Sequence, residues 1–179
     1  AIFFALLALV GWGTGDVFVT IASRKIGNLH TYFWGYCFAL ILTSFYIPFA
    51  GPFPDISVFV IAFFIQIVHT VANIAYFRSL EIGNASLAGT ISGGFPLVSV
   101  AVSIILFGEI LTPLKLLGIL TIFAGVLLTS FDVAQWRRNG FLRAVSDPGV
   151  PFALVALVGW VITFSLIRIP VEKIGWFWS

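Results

Sequence analysis

The side chains in this sequence that are able to do polar chemistry sit inside apolar runs. Asp16 is the most isolated, a carboxylate about two-thirds of the way along the run 2–21, just after Gly11, Gly13 and Gly15. Held in an apolar medium, such a group demands a partner, water or a function. It is a candidate to bind a proton or the cationic end of a solute, and pairing with Arg24 or Lys25 is the structural alternative. Gln66, His69, Thr70, Asn73 and Tyr76 or Phe77 step by three or four residues and fall on one stripe of a helix. Gln66 and Asn73 both donate and accept, and His69 changes charge near neutral pH, so the stripe suits a wet cavity. Hydrogen bonding that only joins helices is the other use of such a stripe. Pro96 withholds a donor from the Ser92 carbonyl four residues back, and Gly93 and Gly94 loosen the same turn into a candidate hinge. Backbone groups freed near a membrane midplane serve solute sites in carriers, and simple kinks as well. Trp12, able to stack on a ligand, and Tyr36 complete the candidate binding or coupling set. The single Cys37 makes no internal disulfide, no His/Cys spacing resembles a metal cage, and no cofactor is expected.

These groups must be positioned by elements built for lipid. The 179 residues are 60% hydrophobic and 9% charged, with a mean hydropathy of +1.13, whereas ordinary soluble domains are about 25% charged. A net charge of +2 spread over nine Lys/Arg offers no dense basic run for a phosphate backbone, so nucleic acid is not an expected partner. The lipid bilayer is. Apolar runs long enough to cross about 30 Å of hydrocarbon fall at 2–21, 31–49, 57–77, 85–107, 114–131 and 151–169. Short loops join them as in antiparallel hairpins. The long segment after Asp132, with Trp136, Arg137, Arg138 and Arg143, suits a short interfacial helix. The first run has neither a basic n-region nor a small-residue cleavage site, so it is expected to be a true span.

The order of these elements repeats. FALLALVGW at 4–12 returns as FALVALVGW at 152–160, differing only at Leu7 against Val155. Ile21 then meets Ile169, and Lys25-Ile26-Gly27 meets Lys173-Ile174-Gly175, at the same offset of 148. The expected organisation is one five-helix unit over 1–131, an interfacial linker over 132–150, and the start of a second unit over 151–179. Five spans between equivalent points reverse direction across the membrane. The fold class is therefore an all-α polytopic membrane protein of inverted repeats, an architecture used by carriers that alternate access around a midplane site. Asp16 meets Phe164 in the second copy, so repeat packing does not require the carboxylate.

Several features of 73–132 carry a likeness to a known family. They are the Tyr76 to Asn84 turn into a small-residue helix, Pro96 in mid-helix, Gly108-Glu109 followed by Leu111-Thr112, and the helix from Gly118 to Gly125. Together with Gly11-Trp12-Gly13 they resemble an EamA-type repeat of the drug/metabolite transporter superfamily. That resemblance implies two five-helix inverted repeats, a central cavity, and ATP-independent transport of small metabolites or drugs. Glu109 is similar to the family's acidic residue and is expected to be structural, as a cap or a partner of Lys115. Gly118, Thr121 and Gly125 form a smooth stripe for close packing, between repeats or between protomers of a homo-oligomer.

The expected function is secondary transport of a small organic solute such as an amino acid, an amine or another metabolite, coupled to protons or by exchange. A membrane enzyme using Asp16 and His69 as an acid/base pair lacks a nucleophile or metal constellation. A non-transporting assembly partner, with the polar stripe as interface, is the alternative. The chain is placed in the plasma or inner membrane. Its basic residues gather on one side, at Arg24, Lys25, Arg78, Arg137, Arg138 and Arg143, against Lys115 on the other. The positive-inside rule makes that first side cytoplasmic, while the family resemblance implies the opposite orientation.

Overall fold

The computed structural model describes residues 2–108, 112–130 and 146–179, and every element within them is helical. In chain order they are α1 (Ile2–Ile26), α2 (Asn28–Ser44), a 3-10 turn (Ile47–Phe49), α3 (Ile56–Ile82), α4 (Ala85–Ser92), α5 (Phe95–Phe107), α6 (Pro113–Ser130), α7 (Val150–Leu166) and α8 (Arg168–Trp178). Glu109 and the linker residues Trp136, Arg137, Arg138 and Arg143 lie outside the described residues.

Prolines set the helix ends. α2 stops at Ser44, α4 at Ser92 and α7 at Leu166, each four residues before a proline, at Pro48, Pro96 and Pro170. A proline has no N–H for the carbonyl four residues earlier, and its ring crowds that carbonyl. The outcome depends on the backbone just beyond each stop. After Ser92, Gly93 (φ −64°, ψ −9°) and Gly94 (φ −72°, ψ −11°) stay right-handed, so α4 and α5 together still make one apolar span, Ala85–Phe107. After Leu166 the chain bends by 87° into α8. Leu6–Ile26 and Ile56–Ile82 are also long and apolar enough to cross a bilayer, giving three spans, or four with the bent pair. The run expected over 31–49 is shortened by Pro48 to a 17-residue α2.

The register of 148 residues has a counterpart in the backbone. Val150–Ile174 is Ile2–Ile26 moved by 148 residues, and both stretches end on a glycine in the same unusual conformation, Gly27 at φ 86°, ψ 154° and Gly175 at φ 77°, ψ 169°. The left-handed φ turns the chain sharply and favours glycine. The two copies differ where Pro170 replaces Ala22: α1 runs through this point and α7 does not. Pro170→Ala is therefore expected to return a partner to the Leu166 carbonyl and straighten α7–α8 into one helix like α1. Spin labels at Phe152 and Lys173, both before Gly175, should move apart, towards the ~32 Å that 21 helical steps span at 1.5 Å each. An unchanged separation would place the cause of the bend elsewhere.

Asp55 begins α3, accepting the Ser57 N–H at 2.7 Å and the Ser57 hydroxyl. These bonds hold its carboxyl below the usual carboxylate range. Because the folded value is the lower one, the stabilisation is complete above the unfolded value and fades as pH falls through the folded one. Amide exchange at Ser57 is expected to quicken, beyond its intrinsic pH dependence, over that acidic window in the wild type and not in Asp55→Asn.

α3 is the central helix, packed on α1, α2, α4, α7 and α8. The buried core is Ala75, Tyr76, Leu80, Ala88, Ala153 and Ala156, from α3, α4 and α7. Large side chains elsewhere face outwards, among them Phe18, Leu42 and Leu114, as expected where lipid rather than water is the solvent. Contacts fix helix direction. Asp16 lies at Tyr76, and Arg24 reaches the carbonyls of Leu80 and Gly83, so α1 runs parallel to α3. Gly149 lies at Gly83, Gly159 at Ala72 and Phe164 at His69, so α7 runs antiparallel to α3. The equivalent helices α1 and α7 thus run in opposite directions.

Candidate functional site

Tyr76 touches both α1 and α7. Its hydroxyl, on α3, donates to Asp16 Oδ2 on α1 at 3.1 Å. Its ring, almost fully buried, lies 5.0 Å from that of Trp160 on α7. Trp160 in turn meets Phe95 on α5 at 5.3 Å, Phe95 stacks on Phe164 at 4.9 Å, and Phe164 meets the His69 ring edge-on at 6.0 Å. A carboxylate, a phenol and an aromatic wall are thus drawn from α1, α3, α5 and α7.

Some buried polar atoms of the same helices have no partner among the described residues: the Trp160 indole Nε1 and His69 Nδ1, whose rings belong to this wall, and the hydroxyls of Ser99 on α5 and Thr163 on α7. Buried donors and acceptors are ordinarily paired, and in a bilayer the cost of leaving them bare is greater. The arrangement suits water or a polar solute.

The other sequence candidates fall differently. Asn73 is buried, but its Nδ2 donates to the His69 carbonyl of its own helix at 2.9 Å. The Ser92 hydroxyl likewise donates to the Ala88 carbonyl at 2.6 Å. Gln66 is exposed, with Nε2 donating to the Ser179 carbonyl at 3.1 Å. Trp12 is 68% exposed. Tyr36 lies 4.2 Å from Tyr32, ring to ring, Tyr32 meets Phe77 at 5.7 Å and Phe77 meets Tyr76 at 6.4 Å, so Tyr36 is two rings removed from Tyr76. A side chain added at Gly118 or Gly125 on α6 would meet nothing within 4 Å among the described residues. The structure thus brings Asp16, Tyr76 and His69 together with Trp160, Phe95 and Phe164. The last three were not singled out from sequence for a site. Trp160 had one available signal, its equivalence to Trp12 in the repeat.

Of the two cations the sequence offers as partners of Asp16, Arg24 and Lys25, the structure uses Arg24 otherwise. Its Nε donates to Leu80 O at 3.1 Å and Nη2 to Gly83 O at 3.0 Å. A cation at a helix C-terminus answers the carbonyls left open there and the negative end of the dipole. Around this end Glu81 pairs with Arg78 at 3.0 Å and accepts the Asn28 N–H at 3.2 Å. Asp147 accepts the N–H groups of Asn84 at 3.0 Å and Gly149 at 2.8 Å. No group of three or more His, Cys, Asp or Glu able to hold a metal ion occurs among the described residues.

Apolar helices of membrane-crossing length around a polar pair define an all-helical integral membrane protein. The sequence model of the EamA-like transporter family matches residues 1–131, well over half of the chain, and the protein belongs to that family. The family is one of membrane transporters of the drug/metabolite superfamily. No curated protein and no solved structure matches the chain.

Proposed function

We propose that this chain forms part of a secondary carrier that moves a small organic solute, such as an amino acid, an amine or another metabolite, by alternating access without ATP. The observation that carries this reading is the Asp16–Tyr76 hydrogen bond between α1 and α3, set beside buried polar atoms without partners. Among the described residues Asp16 has one neutral partner and no cation. An ammonium group, or a proton on the carboxylate itself, can take the place of the Tyr76 hydroxyl. Either exchange would loosen α1 from α3 when the solute or proton arrives, which ties occupancy to helix position.

The inverted five-helix architecture belongs to the same proposal. Supporting it are the register of 148 residues, the shared glycine conformation at Gly27 and Gly175, and the opposite directions of α1 and α7 along α3. Equivalent units facing opposite ways offer two packings of similar energy, which alternating access requires.

The test uses the full-length protein in proteoliposomes on a capacitive membrane electrode, with amino acids, amines and nucleosides offered at two pH values. Radiolabelled counterflow on the same vesicles detects electroneutral exchange. A solute-specific signal is expected whose size at limiting solute, or whose pH dependence, is lost or strongly reduced in Asp16→Asn. Absence of both current and counterflow over the panel would count against a carrier and favour an assembly role.

A further inference from the structure

We infer that α7 moves as one body with α3, so that the sliding boundary of the carrier runs between α1 and α3 and not between the two repeats. This rests on the carrier reading and adds to it which helices part company.

The α3–α7 contact is made of small residues that let the two backbones nearly touch. A Cβ placed on Gly159 would lie 2.7 Å from the Ala72 Cβ, and one on Gly149 would lie 2.9 Å from the Gly83 Cα and 2.8 Å from the Ser79 carbonyl. Between these points Ala72, Ser79, Ala153 and Ala156 are completely buried. Such a seam fits in one register only, because a slide of one residue drives a side chain into a backbone. Asp147 fastens its end, one carboxylate holding the N–H of Asn84 at the start of α4 and that of Gly149 at the start of α7. The seam therefore crosses the repeat boundary and joins α3, α4 and α7.

The α1–α3 contact is of another kind. Gly11, Gly13 and Gly15 would meet nothing within 4 Å if given a Cβ. Nearer its end α1 packs Val19 on the core and buries Ser23, and it carries two exchangeable polar links: Asp16 to Tyr76, and Arg24 to the Leu80 and Gly83 carbonyls at the end of α3. The bidentate Arg24 link makes a tether at one end. The single Asp16 link, two turns away, is the one a cation or proton displaces. α1 then swings about Arg24 while α3 and α7 hold their register.

Spin-label distances in the full-length protein, in lipid and in a Cys37→Ser background, test this. Val71, Val17 and Val158 are exposed positions on α3, α1 and α7. The pair Val71→Cys/Val158→Cys reports the seam, and Val71→Cys/Val17→Cys reports α1. The seam distance is expected to remain single and unmoved on adding Tyr76→Phe, which removes the hydroxyl bound to Asp16, or on lowering pH. The α1 distance is expected to shift or broaden under both. A seam distance that splits or moves with α1 overturns the proposal, and so does an α1 distance that never changes. Uptake by the same liposomes bears separately on the carrier reading, because these distances are read whether or not a solute has been found.

Discussion

Replacing Asp16 by asparagine is expected to lower uptake at limiting solute by about 10- to 100-fold if the solute is cationic or amine-bearing, through a higher KM. A hydrogen bond to a charged partner contributes about 1.5–3 kcal/mol, and each 1.4 kcal/mol is a factor of ten. Asparagine keeps the shape and the acceptor for the Tyr76 hydroxyl at 3.1 Å, so the fold should be little disturbed and the lost charge is the variable. If Asp16 carries a proton instead, the same variant should abolish the pH dependence of uptake and leave solute exchange in place. Tyr76→Phe supplies the opposite sign. It keeps the ring against Trp160 and removes the hydroxyl that competes for the carboxylate, so KM should fall by up to about tenfold, the net value of one ordinary hydrogen bond. KM and pH dependence both unaltered in Asp16→Asn would remove Asp16 from the site.

Asp16 was legible in the sequence because a carboxylate inside an apolar run has few structural excuses. Its partner was legible only as one member of a stripe. Helical spacing put His69, Asn73 and Tyr76 on one face, but it does not say which of them turn inwards to their own helix. Asn73 does so, and so does Ser92 on α4. The carbonyl four residues back is always within reach of a short polar side chain, and no pattern of spacing announces its use. The direction of α7 comes from its contacts along α3, and its chemistry was not legible: Phe164 stood only for a lost carboxylate and Trp160 for a register mark. Side-chain contact across helices decided their place. Prolines tell the same story for the elements. Pro96 was read as a break, while the run 31–49 was carried through Pro48 because hydropathy has no term for a missing N–H.

The repeat also supplies its own control for the largest expected loss of stability. Gly11 and Gly159 are equivalent positions on helices of nearly identical sequence. Valine at either residue changes helix propensity by the same few tenths of a kcal/mol, in the favourable direction. Only the surroundings differ. At Gly159 the new Cβ would fall 2.7 Å from the Ala72 Cβ and 3.5 Å from the Ala72 Cα. Neither atom is the end of a flexible side chain, so α3 and α7 must separate or twist. Overpacking in a closed core typically costs about 1–3 kcal/mol, and opening the Tyr76–Trp160 contact on the same face adds to that. At Gly11 nothing lies within 4 Å. Gly159→Val is therefore expected to lower the midpoint of thermal unfolding in detergent by about 5 °C or more, taking roughly 2–4 °C per kcal/mol for a chain of this size, while Gly11→Val leaves it within a degree or two. Equal losses at the two positions would mean that glycine is needed for the helix itself. A loss at Gly159 alone would assign the sensitivity to the seam and make α3–α7 the fixed contact against which α1 has to move.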